Sequence, residues 1–325
     1  MGVFTALGEA ELVELAAEFE LGAVTEFRSI AAGTINSNYE LTADGGRFFV
    51  RVNEGKAEVD VAWEARLVSA LASAGVHTPP PLLAKTGMPY AAIVSSAGRK
   101  WASVFPWRNG SHLAAEAVTP AHAEQFGAAL AELHVAGLAL PPAWRRGSIY
   151  DHDHLVTRFE RCARVDDKAL TRAFAILREE LAVARDATPT RRAATYGMIH
   201  GDLFRDNVLW DADRISAILD FEQASGGSLA YDLAVCINDW CWTIFPRFDL
   251  AAALVGGYTR VRPLSSADRA ALPIEVRAAA ARFTLTRITD VYLARVDNPE
   301  KDFRAFLARC EAWRGPALGQ LTASL

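Results

Sequence analysis

The chain has no apolar run long enough to cross a bilayer and no excess of basic residues. No stretch of eighteen or more consecutive apolar side chains occurs in its 325 residues. The formal net charge is -5, from 34 Lys and Arg against 39 Asp and Glu. Because bulk nucleic-acid binding needs a basic face, these absences argue against a membrane-spanning protein and against a nucleic-acid partner. One polyanionic nucleotide can still bind in a local site.

Cysteine is also scarce. The four cysteines are Cys162, Cys236, Cys241 and Cys310. Their spacings match no zinc pattern, and they are too few for a disulfide framework in a chain of this length. Residues 1–21 contain no basic region followed by an apolar run, so we expect no export signal. These features predict a reducing, cytoplasmic compartment.

Periodicity divides the chain into a β-rich part and a helical part. The first part reads as helices at 9–20 and 60–74 and strands at 24–30, 39–42, 48–52, 91–95 and 101–105. The second part reads as helices at 120–136, 153–163, 168–186, 247–261 and 267–296, with strand-like pieces only near 207–221. The order predicts an α+β protein with a β-rich domain at 1–106 and a helical domain at 107–325.

The most informative segment is His-Gly-Asp-Leu-Phe-Arg-Asp-Asn at 200–207, followed by Ile-Leu-Asp-Phe at 218–221. Four residues separate Asp202 from Asn207, and a hairpin then returns the chain so that Asp220 can approach Asn207. Phosphoryl transfer needs these groups: a carboxylate base, and an amide and a carboxylate that hold magnesium on the phosphates. A plain turn with aspartates as turn formers is the alternative. It does not explain an acid at the end of the next apolar strand.

The β-rich part offers candidate nucleotide contacts. Gly33, Asn36, Ser37 and Asn38 lie between two predicted strands, where a loop over the phosphates is expected. The segment is not a phosphate-binding loop of the G-x-x-x-x-G-K-[ST] type. An ordinary polar hairpin turn accounts for it equally well.

Arg51 is the cation of the strand at 48–52, and Glu64 lies on the following helix. A strand cation paired with a helix acid orients phosphates in kinases, and Arg can bind phosphate bidentately. A surface Arg is the alternative, and Lys56 is a weaker candidate because it falls in the loop after the strand. Phe105 and Trp107, near the domain boundary, are candidates for an apolar adenine slot.

These residues resemble the aminoglycoside phosphotransferase-like kinases, which share the protein-kinase fold. Further segments resemble the homoserine kinases of this superfamily; they lie at 1–5, 21–22, 33–39, 231–235, 238–241, 261–273 and 282–287. The resemblance implies a two-lobe fold with ATP bound between a small β-rich lobe and a larger helical lobe. It further implies Asp202 as catalytic base, Asn207 and Asp220 as Mg2+ ligands, L-homoserine as acceptor and O-phosphohomoserine as product.

An amino-acid acceptor needs a cation for its carboxylate and an acid for its ammonium. Arg287 is the candidate cation, and Asp206, Asp239 or Asp290 the candidate acid. Two alternatives stay open: another hydroxyl acceptor, such as an aminoglycoside, choline or methylthioribose, and a catalytically inactive nucleotide-binding protein of the same fold. The apolar and aromatic segment after Asp232 disfavours a polycationic aminoglycoside. The sequence indicates no oligomeric state.

Overall fold

A computed structural model of the protein describes residues 5–30, 36–95 and 98–325. The chain forms two compact units. The first unit contains Met1–Ser111 and Leu209–Glu222, and the second contains His112–Val208 and Gln223–Leu325. The predicted boundary at 106–107 stays a prediction.

The first unit is built on five strands: β1 (Val24–Ile30), β2 (Ser37–Ala43), β3 (Gly46–Asn53), β4 (Ala91–Ser95) and β5 (Gly98–Pro106). They form one antiparallel sheet in the order β1-β2-β3-β5-β4. Its helices are α1 (Glu9–Glu18) and α2 (Glu58–Ser73).

Along β3, side chains alternate between the buried core and the opposite face of the sheet, which carries the nucleotide-binding candidate Arg51. Phe48, Val50 and Val52 are buried in the core of the unit, together with the apolar face of α1. Because successive strand side chains point to opposite faces, Arg51 lies on the other face from Val50 and Val52. The alternating pattern of β3 therefore places its apolar side chains in the core and Arg51 on the opposite face of the sheet.

The second unit is mainly helical. Its helices are α3 (Pro120–Ala139), α4 (His152–Cys162), α5 (Thr171–Asp186), α6 (Thr188–Ala193), α7 (Leu229–Trp240), α8 (Phe248–Val261), α9 (Ser266–Arg287), α10 (Phe303–Trp313) and α11 (Pro316–Ser324). A π-helical turn, Ile288–Tyr292, follows α9 directly. Two short antiparallel strands, β6 (Tyr196–Ile199) and β9 (Ser225–Ser228), pair with each other. The other two strands, β7 (Val208–Asp211) and β8 (Arg214–Ile218), form the predicted hairpin, which belongs to the first unit from Leu209 onward.

The predicted α+β class, with a β-rich part followed by a larger helical part, is confirmed. The sequence prediction lacked helices α6, α7, α10 and α11 and strands β6 and β9. In the part of the chain that the structure describes, no helix combines the length and the apolar character needed to span a membrane.

Candidate active site

The catalytic-loop candidate begins where β6 ends. Gly201 has φ +79°, and a Cβ there would lie 3.1 Å from the backbone oxygen of Gln223. Glycine is therefore favoured both by the backbone conformation and by the close approach. Asp202 follows this turn, three positions before the start of a short helical turn, Arg205–Asn207.

Asp202 forms an ion pair with Arg282 of α9. Arg282 Nη1 lies 3.1 Å from Asp202 Oδ1, and the exposed fractions of the two side chains are 3% for Arg282 and 32% for Asp202. Oδ2 of Asp202 makes no hydrogen bond among the described residues. One oxygen is thus fixed by a buried cation, while the other can accept a proton.

Asn207 is oriented by the same loop. Its Nδ2 donates a hydrogen bond of 2.7 Å to the backbone oxygen of Asp202. Because this bond uses the amide donor, it leaves Oδ1 as the side chain's acceptor atom. Amide and carboxylate oxygens are the ligands that hard divalent cations prefer, so the chemistry of Asn207 suits the predicted metal role.

A buried aspartate holds the backbone of the loop. Asp232 of α7 accepts hydrogen bonds of 2.7 Å from the backbone N–H groups of His200 and Gly201, and His134 Nε2 lies 3.1 Å from its Oδ2. Burial acts to raise the pKa of Asp232, but the hydrogen bonds from His134 and from the backbone lower it overall. Asp232 thus remains an acceptor-only group in the core.

The predicted acceptor residues lie in different surroundings. Asp239 is engaged by Arg205, which donates Nε and its backbone N–H to Oδ2 at 3.0 and 2.8 Å. Partial desolvation by the surrounding protein raises the pKa of Asp206, and the negative charges of Asp239 and Asp202 raise it further. The Asp206 side chain is nevertheless in contact with solvent. Arg287 donates to the backbone oxygens of Glu300 and Asp302 at 3.4 and 3.2 Å. The acceptor roles of these residues stay predictions.

In the first unit, five charged side chains form one network. Arg51 Nη1 lies 3.0 Å from Glu64 Oε1 and 3.5 Å from Asp220 Oδ1. Lys56 Nζ lies 3.0 Å both from Glu64 Oε2 and from Glu222 Oε2. The strand cation and the helix acid are therefore paired, and Asp220 lies beside the same cation.

The network is a strongly charged, partly buried cluster. Burial acts to lower the pKa of Arg51, but Asp220 and Glu64 raise it overall. Burial acts to raise the pKa of Glu222, but Lys56 and Arg51 lower it overall. Three carboxylates against two cations leave a net negative charge, which favours binding of a cation. Asp220 has φ +64°, a conformation that Asp adopts more readily than most residues.

The other predicted nucleotide contacts are only partly joined to this network. Asn36 Nδ2 donates to Glu222 Oε2 at 2.9 Å, whereas Ser37 Oγ donates to Glu54 Oε1 at 2.7 Å. Asn38 lies opposite Arg51 in the pairing of β2 with β3. Gly33 lies outside the described residues.

The aromatic candidates belong to the sheet. Phe105 on β5 is the register partner of Phe49, and its ring centroid lies 6.0 Å from Arg51 Cζ. The backbone N–H of Trp107 donates to the Arg47 oxygen at 3.0 Å, and Arg47 Cζ lies 4.5 Å from the Trp107 ring centroid. Both rings therefore contact arginines of the first unit, and their adenine role stays a prediction.

Sequence reasoning missed three residues of these clusters or ranked them low. Lys56 was placed behind Arg51, and neither Glu222 nor Arg282 was assigned a role. Glu222 follows the metal-ligand candidate by two positions, which is a usable signal. Arg282 carries no such signal, since it pairs with a residue 80 positions earlier in the chain.

Comparisons with known proteins agree with this chemistry. Residues 26–264 match the model of a family described as phosphotransferase enzyme family. A homoserine kinase of Parvibaculum lavamentivorans is 32% identical over 98% of this chain and 97% of its own length. A homoserine kinase of Nitrobacter hamburgensis is 36% identical over 89% of this chain and 87% of its own length.

Among solved structures, the fold is similar to that of amicoumacin kinase hAmiN in complex with AMP-PNP, Ca2+ and Ami. The TM-score is 0.72 at 16% identity, covering 97% of this chain and 94% of the other. At this identity, the similarity extends to the fold and no further.

Proposed function

The chain belongs to the phosphotransferase enzyme family, and we propose that it transfers the terminal phosphoryl group of ATP to the side-chain hydroxyl of L-homoserine. The product is O-phosphohomoserine, on the route to threonine. The observation that carries the acceptor assignment is the match to two homoserine kinases over 98% and 89% of this chain. The observation that supports the reaction type is the half-exposed carboxylate of Asp202 in a loop held by buried hydrogen bonds.

Asp202 is the proposed base. Its Oδ1 is held by Arg282, so Oδ2 is the atom that would orient the acceptor hydroxyl and take its proton. Asp232 keeps the loop backbone in place through the N–H groups of His200 and Gly201. A base fixed in this way needs little rearrangement when the hydroxyl binds.

Mg2+ is the proposed metal, with the amide oxygen of Asn207 and the carboxylate of Asp220 as ligands. When bound, the ion would neutralise charge on the phosphates. Arg51, held by Glu64, is the proposed phosphate-binding cation, and Lys56 is a second cation of the same network.

The four cysteines are free thiols and buried, which supports the predicted reducing, cytoplasmic compartment.

The test is a release assay for ADP with L-homoserine, choline, methylthioribose and an aminoglycoside as separate acceptors. We expect turnover with L-homoserine to exceed that with the others by at least about 100-fold in kcat/KM. Equal turnover of all acceptors, or none with L-homoserine, would remove the acceptor assignment.

A variant tests the role of Asp202. Asp202→Asn keeps the size of the side chain but removes its basicity, so kcat should fall about 100- to 10,000-fold. Binding of ATP, measured by calorimetry, should stay close to that of the unmodified protein. An unchanged kcat would contradict the assignment, and so would a loss of ATP binding that accounts for the whole loss of activity.

A further inference from the structure

Arg282 is a buried cation with most of its hydrogen-bonding capacity unused. A guanidinium carries five N–H donors. Among the described residues, its one hydrogen bond goes to Asp202, at 3.1 Å, and its buried Nε has no partner. A buried donor without a partner is costly, because it has lost its hydrogen bonds to water and nothing has replaced them. Arg282 therefore carries a donor that a bound group would satisfy.

Two aromatic rings fix the orientation of this guanidinium. Arg282 Cζ lies 4.0 Å from the ring centroid of Tyr150 and 3.7 Å from that of Phe283. Contacts of this kind stabilise a cation and hold its plane. The donors that remain are therefore directed rather than mobile, as recognition of a planar carboxylate requires.

A second donor of the same region also lacks a partner. The buried hydroxyl of Tyr231 makes no hydrogen bond among the described residues. Burial raises the pKa of Tyr231 to about 12, so the phenol stays neutral and keeps its proton. Tyr231 directly precedes Asp232 on α7, and Asp232 accepts from the N–H groups of His200 and Gly201, so the phenol belongs to the turn of α7 that holds the catalytic loop.

The other arginines near the catalytic loop donate to groups other than the proposed base. Arg205 spans both oxygens of Asp239 and also reaches the Leu113 oxygen at 3.2 Å. Among the described residues, Arg287 donates from Nη1 to the backbone oxygens of Glu300 and Asp302, and Arg309 donates from Nε and Nη1 to backbone oxygens. Arg282 pairs with Asp202 itself, so it is the arginine placed to bind a further anion beside the proposed base.

We propose that Arg282, assisted by the hydroxyl of Tyr231, binds the carboxylate of the amino-acid acceptor. The proposal rests on the proposed function, since it assigns the residues that recognise L-homoserine. One guanidinium would then hold the base through one N–H and the acceptor's carboxylate through others. This arrangement would set the position of the acceptor hydroxyl relative to Asp202 and would select acceptors that carry a carboxylate.

The test compares two acceptors that differ only in the carboxylate. 3-Amino-1-propanol has the hydroxyl and the ammonium of L-homoserine but a hydrogen in place of the carboxylate. For the unmodified protein, we expect kcat/KM for L-homoserine to exceed that for 3-amino-1-propanol by more than about 100-fold. In Arg282→Gln this preference should fall at least about 50-fold, and in Tyr231→Phe about 5- to 10-fold.

Arg277→Gln is the matched control. Arg277 lies on the same helix and pairs with Glu180 through two bonds of 2.8 Å, so its loss removes a comparable ion pair elsewhere. The control should leave the preference between the two acceptors unchanged. Calorimetric titration of both acceptors, with an ATP analogue bound, gives the same comparison for a variant that binds but does not turn over. Arg282→Lys, which keeps the charge, is the substitute if Arg282→Gln does not fold.

The outcomes separate the two hypotheses. If Arg282 only positions Asp202 or binds water, both acceptors lose kcat/KM by the same factor, and the proposal is overturned. A collapse of the preference in Arg287→Gln but not in the Arg282 variants also overturns it, in favour of the anchor predicted from sequence. An unmodified protein that does not phosphorylate L-homoserine rejects the proposed function itself, before any variant is made.

Discussion

Substitution of Asp232 by asparagine tests whether this buried acid holds the catalytic loop. Asp232 is fully buried on α7, and its two oxygens accept from His200 N–H, Gly201 N–H and His134 Nε2. Asparagine keeps one acceptor oxygen and replaces the other by an NH2 group. If the oxygen takes the position of Oδ2, the new NH2 group faces the N–H of Gly201, and two donors oppose each other.

The expected loss of stability follows from these contacts. A hydrogen bond to a charged group contributes about 1.5–3 kcal/mol and a neutral one about 0.5–1.5 kcal/mol, so the two surviving bonds lose about 1 kcal/mol each. The unsatisfied N–H of Gly201 adds about 2 kcal/mol, which gives about 4 kcal/mol in total. For a unit of about 200 residues, this corresponds to a melting temperature about 8–16 °C lower. A loop displaced by about 1 Å should lower kcat about 100-fold.

Asp268→Asn is the control. Asp268 is also fully buried, and it accepts from the backbone N–H groups of Thr195 and Ser265 at 2.7 and 3.2 Å. These residues are not part of the catalytic loop. Both variants should melt at lower temperature by circular dichroism, but only Asp232→Asn should lose turnover when assayed well below both melting points. Full turnover in Asp232→Asn, or an equal loss in the control, would refute the reasoning.

The same acid predicts a dependence of stability on pH. The pKa of Asp232 is lowered in the folded protein. A carboxylate of this kind stabilises the fold above its unfolded pKa of about 3.9, and its contribution is lost as pH falls through the folded pKa. The melting temperature should therefore decline in acid below about pH 4, and less steeply in Asp232→Asn than in the unmodified protein. Parallel declines would contradict this origin of the acid sensitivity.

Two further predictions concern packing and thiol chemistry. A Cβ at Gly257 would lie 1.9 Å from the backbone oxygen of Glu124, whereas a Cβ at the adjacent Gly256 meets nothing within 4 Å. Gly257→Ala should therefore lower the free energy of unfolding in urea by about 3 kcal/mol. Gly256→Ala should leave this free energy unchanged or raise it by up to about 1 kcal/mol. Equal urea midpoints for the two variants would contradict the close crossing of α3 and α8. All four cysteines are free and buried, and burial raises the pKa of Cys310 to about 12, so a thiol reagent should label none of them in the native protein and four after unfolding. Fast labelling of any native thiol would contradict their burial.

The sequence was most informative where local chemistry determines local structure. Strands β1 and β4 have the predicted bounds, because alternating side chains and turn residues mark their ends. The loop from Asp202 to Asn207 was recognisable because its spacing is itself the signal. The sequence alone therefore indicates a candidate base, and its role stays a prediction.

Helix α7 shows where periodicity fails. Eleven of its 12 residues are buried, so it has no polar stripe. A helix buried on all sides loses the alternation between apolar and polar faces on which its recognition depends. Because α7 was not predicted, the role of Asp232 could not be predicted either, since that role depends on contacts between α7 and a loop more than 30 positions earlier.

The choice between Arg282 and Arg287 shows the same limit inside the site. Both are arginines near the end of α9, and both suit an acceptor carboxylate by charge alone. Five positions on an α-helix correspond to a rotation of about 140°, so the two side chains leave the helix in different directions. Arg282 faces Asp202, and Arg287 faces the backbone of Glu300 and Asp302. Charge and spacing thus point to α9 as the helix that carries the proposed cation, whereas the choice between Arg282 and Arg287 depends on which side of the helix faces the loop.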